Sequence, residues 1–218
     1  MATKKAIIFD MDGVIVDSEI YWKQAEYEVF SSLGVELTDE DSEMTKSMTT
    51  FEVTEFWYRK NPWEGKDLNT VEQMVISRVI ELIETENCEI NGVKSFIEKL
   101  KINDYKIGLA TNSPNRIIPV VLNKLDILNL FDSTLSAEFV EKGKPDPAIY
   151  REVAKKLEIH PEDCVVIEDS SSGMMAAKNA GMTVIAFTNG NRVNNYEIAD
   201  YKIESFENNE IEFIRSIL

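Results

Sequence analysis

The sequence predicts an α/β protein whose core is an open sheet of parallel strands, interrupted after its first strand by a helical module. Two observations support this prediction. Four short runs are apolar throughout and end in, or directly before, a polar residue, which is typical of strands buried on both faces of a parallel sheet. Helical patterns alternate with them from about residue 88 onward. Residues 17–86, by contrast, show helical spacing and no convincing buried strand.

The predicted strands cover residues 6–10, 106–111, 164–169 and 183–187. Core helices are predicted over 93–100 after Asn91-Gly92, over 118–125 with Pro119 in the first turn, over 149–157, and from Ser170 to a stop at Gly181. Three more are predicted around 21–33, 51–58 and 71–83. We therefore expect a core of residues 1–16 and 87–218, with 17–86 forming a helical cap domain over the carboxyl ends of the strands.

Composition limits the partners that this chain can have. Its 218 residues include 39 acidic and 23 basic ones, for a formal charge of −16, which disfavours nucleic acid and anionic membranes. No apolar run could cross a bilayer, and the first residues lack the pattern of a secretory signal. Cys88 and Cys164 have no zinc-ligand spacing and fit a reduced, intracellular chain. We expect a cytoplasmic monomer without nucleic-acid or membrane partners.

Acidic residues are concentrated at two of the predicted strand ends. Asp10 ends the first strand and Asp12 follows it, while Glu168 and Asp169 end the third. If both strands are central, these carboxyls converge at one edge of the sheet. Two carboxylates about 4 Å apart repel by roughly 4 kcal/mol at an effective dielectric constant of 20, so the cluster needs a cation. Oxygen ligands without histidine or cysteine favour Mg²⁺.

Two further strand-end residues could bind an anion. Thr111 ends the second strand with a hydroxyl and exposed backbone N–H groups, and Lys144 lies between Gly143 and Pro145 in a restricted loop. The chain has one histidine, His160, in a predicted loop, which disfavours Ser-His-Asp and Cys-His mechanisms. The pattern therefore favours a small phosphorylated ligand bound beside a metal.

Four segments in this order resemble the motifs of the haloacid dehalogenase superfamily: DMDGVIVDSE, LATNS, GKPDP and VVIEDSSSGMMAAKNAG. The resemblance implies a Rossmann-like core, and the helical insertion resembles the cap of the β-phosphoglucomutase-like branch. Within that branch, VDSEIYW and WYRKNPWEG are similar to segments of the 2-deoxyglucose-6-phosphate and hexitol phosphatases. The implied activity is Mg²⁺-dependent hydrolysis of a small sugar or sugar-alcohol phosphate.

The resemblance also implies roles for individual residues. Asp10 would be the nucleophile, forming an aspartyl phosphate, and Asp12 the general acid and base. Metal ligands would come from Asp10, Asp12 and Asp169, with Glu168 ordering the metal's water shell. The remaining implied contacts are to the substrate phosphate, from Thr111, Asn112 and Lys144.

Two alternatives to hydrolysis remain open. A β-phosphoglucomutase-type phosphotransferase is disfavoured because Trp22 lies near where those mutases carry a histidine, and the cap segment EMTKSMTTFE has only Lys46 as a basic residue. A catalytically silent Mg²⁺-binding module is disfavoured because it has no reason to keep a repelling carboxyl cluster. Candidate substrate contacts in the cap are Glu19, Trp22 and Lys46. Three more of its aromatic residues could close over a sugar: Trp57, Tyr58 and Trp63.

Overall fold

The computed structural model describes residues 5–38, 44–45, 48–190, 196–207 and 210–217. In this part of the chain, six strands form one parallel sheet in the order β3-β2-β1-β4-β5-β6. The strands are β1 (Ala6–Phe9), β2 (Lys106–Thr111), β3 (Ser133–Ser136), β4 (Cys164–Glu168), β5 (Thr183–Phe187) and β6 (Tyr201–Ile203). Strand β1 lies in the middle, between β2 and β4, so the residues that follow these three strands meet at one edge.

Eight α-helices accompany the sheet in the described residues. Between β1 and β2 lie α1 (Glu19–Ser32), α2 (Thr50–Lys60), α3 (Leu68–Thr85) and α4 (Val93–Ile102), and the later helices are α5 (Ile117–Lys124), α6 (Ala148–Leu157), α7 (Ser171–Ala180) and α8 (Glu210–Ile217). The residues before two of these helices explain where the helices begin. Gly92 precedes α4 at φ 82°, and Ser170 caps α7 by accepting a hydrogen bond from the Gly173 N–H.

The sheet is buried on both faces, which explains why its strands are apolar throughout. Alternate side chains of β1, such as Ile7 and Phe9, pack into one core with α4 and α5. The opposite face, with Ala6 and Ile8, packs against α6 and α7. The first core continues without a break into the helices of the insertion, through Trp57 among others.

Helices α1, α2 and α3 form the insertion after β1. Helix α3 packs against both α1 and α2, and it also contacts α5 of the core. The chain enters and leaves this insertion at adjacent positions, because Val16 pairs with Glu89 and the Asp17 N–H donates to the Cys88 carbonyl at 2.9 Å. Residues 17–88 therefore begin and end at the same corner of the sheet.

The observed elements confirm the predicted fold class. The four predicted strands are present, and the two that were predicted to end in an aspartate end one residue earlier, at Phe9 and Glu168. Strands β3 and β6 were not predicted. A membrane span needs a longer and more apolar helix than any that the described residues form.

Candidate active site

The polar residues that follow the three central strands lie together at the carboxyl edge of the sheet. Pairing of Phe9 with Ile167 places Asp10 beside Glu168, and the Asp10 N–H donates to the Ile167 carbonyl at 3.0 Å. Thr111 ends β2 on the other side of β1 and is 1% exposed. The sheet topology therefore brings together residues that lie 57 to 158 positions apart in sequence.

Lys144 occupies the centre of this cluster. Its Nζ donates to Asp10 Oδ1 at 2.5 Å, to Glu168 Oε1 at 2.6 Å and to the Ala110 carbonyl at 2.9 Å. Asn112 fixes the backbone of Lys144, because its side-chain oxygen accepts from the Lys144 N–H at 2.9 Å and its amide donates to the Lys144 carbonyl at 3.3 Å. The Asn112 side chain thus positions the lysine.

Glu168 is fully buried and hydrogen-bonded on both oxygens. Besides Lys144, Tyr150 Oη donates to Oε1 at 2.8 Å, and the N–H and hydroxyl of Ser170 donate to Oε2 at 3.0 and 2.9 Å. Gly173 makes room for this carboxylate, since a Cβ there would lie 1.7 Å from Glu168 Oε1. Glu168 is therefore held in one position by the start of α7.

Asp169 completes a group of acidic residues that suits a divalent metal ion. Oxygens of Asp10, Glu168 and Asp169 all lie within 4.8 Å of one another. Asp169 reaches the group across Gly13, which has φ 79° and whose missing Cβ would lie 2.1 Å from Asp169 Oδ2. Carboxylate oxygens at this spacing are the donors that hard divalent cations bind.

Electrostatics at the cluster also favour a bound cation. Burial opposes the charge of Lys144, but Asp10 and Glu168 outweigh it and raise the pKa of the lysine, which stays protonated. Burial raises the pKa of Asp10 to about 8, against the opposing charge of Lys144. Burial and the charges of Glu168 and Asp10 raise the pKa of Asp169 well above its usual range. One lysine does not offset the buried carboxyls, whereas a divalent ion would add two positive charges.

Asp12 accepts hydrogen bonds on both of its carboxyl oxygens. Ser18 Oγ and Trp22 Nε1 donate to Oδ1 at 2.5 and 3.0 Å. Ser113 Oγ donates to Oδ2 at 2.6 Å, and Thr111 Oγ1 is 3.4 Å from the same oxygen. These contacts connect the carboxyl both to the end of β2 and to the first turn of α1.

The residues predicted in the cap have different surroundings. Glu19 lies on an exposed part of α1 and forms an ion pair with Lys23 at 3.0 Å, whereas Trp22 is partly buried and contacts Asp12. Lys46 lies outside the described residues. Trp57 and Trp63, 0% and 6% exposed, belong to the apolar core that includes the insertion.

Three contacting residues were not singled out in the sequence: Ser18, Ser113 and Tyr150. Ser18 lies within the motif DMDGVIVDSE and Ser113 within LATNS, so their positions in the same motifs as Asp12 and Thr111 were the available signal. Tyr150 has no such signal, because it lies in the buried stripe of α6 and only its hydroxyl reaches Glu168.

Comparison with known proteins places this arrangement in a family. Residues 7–187 match the family model of the haloacid dehalogenase-like hydrolases. The chain belongs to this family. It is 36% identical over 203 residues to hexitol phosphatase B of Escherichia coli, covering 92% of the chain and 91% of that protein.

Two other members of the haloacid dehalogenase-like hydrolases extend the comparison. A phosphorylated carbohydrates phosphatase of Thermotoga maritima is 34% identical over 82% of both chains. The crystal structure of β-phosphoglucomutase from Clostridium difficile superimposes with a TM-score of 0.83 at 29% identity, covering 99% of this chain and 97% of that one. These matches confirm the predicted family and the enzyme class, a phosphoric monoester hydrolase.

Proposed function

We propose that the chain is a Mg²⁺-dependent phosphatase that hydrolyses a small sugar or sugar-alcohol phosphate through an aspartyl phosphate on Asp10. The observation on which this rests is the cluster of buried Asp10, Lys144 and Glu168 with half-buried Asp169, beside Asp12 at the carboxyl edge of a parallel sheet. The named relatives that are phosphatases of hexitols or phosphorylated carbohydrates support the substrate class.

In the first step, a carboxylate oxygen of Asp10 attacks phosphorus and forms an acyl phosphate while the bond to the sugar oxygen breaks. The departing alkoxide takes a proton from Asp12 and leaves as the alcohol. Lys144, already within hydrogen-bond distance of Asp10, holds the nucleophile in place and supplies positive charge beside the incoming phosphate. Thr111 and the backbone of Asn112 would donate to phosphate oxygens.

In the second step, Asp12 takes a proton from a water molecule, whose oxygen attacks phosphorus and displaces the Asp10 carboxylate as inorganic phosphate leaves. The carboxylates of Asp10 and Asp169 and the backbone carbonyl of Asp12 would hold Mg²⁺, whose charge would offset the repulsion between an anionic nucleophile and a phosphate dianion. Glu168 would order the water around the ion. Asp10 and Asp12 return to their starting states.

The test is Mg²⁺-dependent release of inorganic phosphate from a panel of hexose and hexitol phosphates, with Asp10→Asn as the matched variant. We expect release on at least one ester, a fall of about 10³-fold or more in Asp10→Asn, and loss of release when Mg²⁺ is chelated. Release that is equal in the wild type and Asp10→Asn on every ester would contradict the proposal.

A phosphomutase is the second candidate, favoured by the structural match to β-phosphoglucomutase over 99% of this chain. It would have to bind a second phosphate on the cap. The two activities are separated by incubating the protein with β-glucose 1-phosphate: glucose 6-phosphate without free phosphate indicates the mutase, and glucose with inorganic phosphate indicates the phosphatase.

A further inference from the structure

The indole of Trp22 contacts the carboxyl that the proposed function uses as acid and base. Trp22 lies in the first turn of α1, and its Nε1–H donates to Asp12 Oδ1 at 3.0 Å. Ser18, the residue before α1, is fully buried and donates to the same oxygen at 2.5 Å. The start of the insertion thus holds one oxygen of Asp12, while Ser113 and Thr111 face the other.

Both oxygens accept from hydroxyls, but only Oδ1 also accepts from an indole N–H. A hydroxyl can donate or accept, so Ser113 and Thr111 can reverse their hydrogen bonds when Oδ2 carries a proton. An indole N–H can only donate. A proton on Oδ1 would therefore face the Trp22 N–H and lose that hydrogen bond, whereas a proton on Oδ2 leaves it intact.

We propose that Trp22 is a positioning residue for Asp12, holding Oδ1 so that Oδ2, beside Thr111 and Ser113, carries the proton given to the departing alcohol. This rests on the proposed function. The sequence suggested that Trp22 touches the sugar. In this proposal the tryptophan instead acts on bond cleavage through Asp12.

The test uses leaving groups that differ in their need for a proton. A sugar alkoxide must be protonated as it leaves, whereas p-nitrophenolate leaves readily without a proton. The value of kcat/KM reports the steps up to formation of the aspartyl phosphate. It is therefore unaffected by the later hydrolysis of that intermediate, in which Asp12 acts as base whichever ester was used. In Trp22→Phe we expect kcat/KM for the preferred sugar phosphate to fall about 10- to 100-fold, and that for p-nitrophenyl phosphate to fall less than about 3-fold.

The matched control is Trp63→Phe, at another place in the insertion. It also removes an indole hydrogen bond, which Trp63 Nε1 donates to the Lys66 carbonyl at 3.2 Å. It should change both kcat/KM values equally or not at all. In an Asp12→Asn background, Trp22→Phe should add no further selective loss, because the group through which it acts is gone. If Trp22→Phe does not fold, Trp22→His, which keeps a ring N–H, must show a smaller selective loss than Asp12→Asn.

Equal losses on both substrates, or a selective loss that persists in the Asp12→Asn background, would overturn the proposal. A rise in KM for the sugar phosphate alone, with kcat unchanged, would also overturn it and would assign Trp22 to substrate binding. If the wild type hydrolyses neither ester, the proposed function itself fails, an outcome distinct from all of these.

Discussion

Glu26 is a half-buried carboxyl on α1 that lacks a partner among the described residues. No hydrogen bond or ion pair reaches its carboxyl from the residues that the structure describes, and burial raises its pKa from 4.5 to about 7. It lies four positions after Trp22 and therefore on the same side of α1, one helical turn away. Such a carboxyl destabilises the folded state when it is charged.

The consequence is a pH-dependent effect of Glu26→Gln. Because the folded pKa is raised, the stability of the protein is complete with respect to Glu26 below pH 4.5, where the carboxyl is protonated in both states, and it falls as the pH rises through 7. Glu26→Gln should increase the free energy of unfolding at pH 8 by about 2 to 3 kcal/mol, and the gain should vanish near pH 4. Urea unfolding at both pH values measures it.

Glu28 on the same helix is the control for this prediction. It accepts hydrogen bonds from Arg78 and Gln24, which lower its pKa. Glu28→Gln should therefore give no gain in stability at pH 8. A gain of equal size in both variants would show that reduced net charge, rather than the burial of Glu26, is responsible.

Substitution of Gly173 sets the higher helix propensity of alanine against a clash with the Glu168 carboxylate. Replacing a helical glycine by alanine ordinarily stabilises a helix by about 1 kcal/mol. Here the new Cβ would lie 1.7 Å from Glu168 Oε1, so the carboxylate must move and its hydrogen bonds to Lys144 and Tyr150 must break. We expect Gly173→Ala to lower the free energy of unfolding by about 1 to 3 kcal/mol and to reduce phosphatase activity.

Thermal unfolding and a phosphate-release assay check this prediction. Gly34→Ala is the control, since nothing lies within 4 Å of its added Cβ and only the backbone strain at φ 81° remains. It should lower stability without lowering kcat. Unchanged activity in Gly173→Ala would mean that Glu168 does not need its observed position.

At the level of elements, the sequence was sufficient to predict the central strands of the sheet but not its two edge strands. β1, β2, β4 and β5 are buried on both faces, so their composition alone identifies them. Among the residues that the structure describes, β3 pairs with β2 alone and has the sequence STLS, and β6 has three residues of which two are exposed. Edge strands carry no apolar run, because little of their surface is buried.

The same reasoning explains which site residues could be predicted. Asp10, Thr111 and Glu168 lie at or directly after central strands, so identifying the strands places them together. The contacts of Ser113 and Tyr150 depend on the direction of a hydroxyl, which spacing does not specify. The contact of Trp22 with Asp12 depends on how α1 packs over the sheet, and that is a tertiary property.

For the whole molecule, metal binding should be measurable as a change in stability. The carboxyls of Asp10, Glu168 and Asp169 repel one another, and a ligand that binds only the folded state stabilises it. At a Mg²⁺ concentration of 100 times the Kd, the free energy of unfolding should rise by about 2.7 kcal/mol, with a higher Tm that EDTA reverses.

Asp169→Asn is the matched variant for this prediction. It removes one negative charge from the cluster, so its Tm without metal should equal or exceed that of the wild type, while its response to Mg²⁺ should be lost. A Mg²⁺-dependent rise in Tm that persists unchanged in Asp169→Asn would place the binding elsewhere on this acidic chain, whose formal charge is −16.

The pairing of Val16 with Glu89 has a consequence for how such a protein can change during evolution. Because residues 17–88 leave and rejoin the sheet at neighbouring points, a segment of another length or shape could replace them without moving a strand. The insertion can then change while the residues at the carboxyl edge of the sheet stay in place. Ser18 and Trp22 are the exception, since both bond to Asp12, and any replacement segment would have to supply equivalent donors.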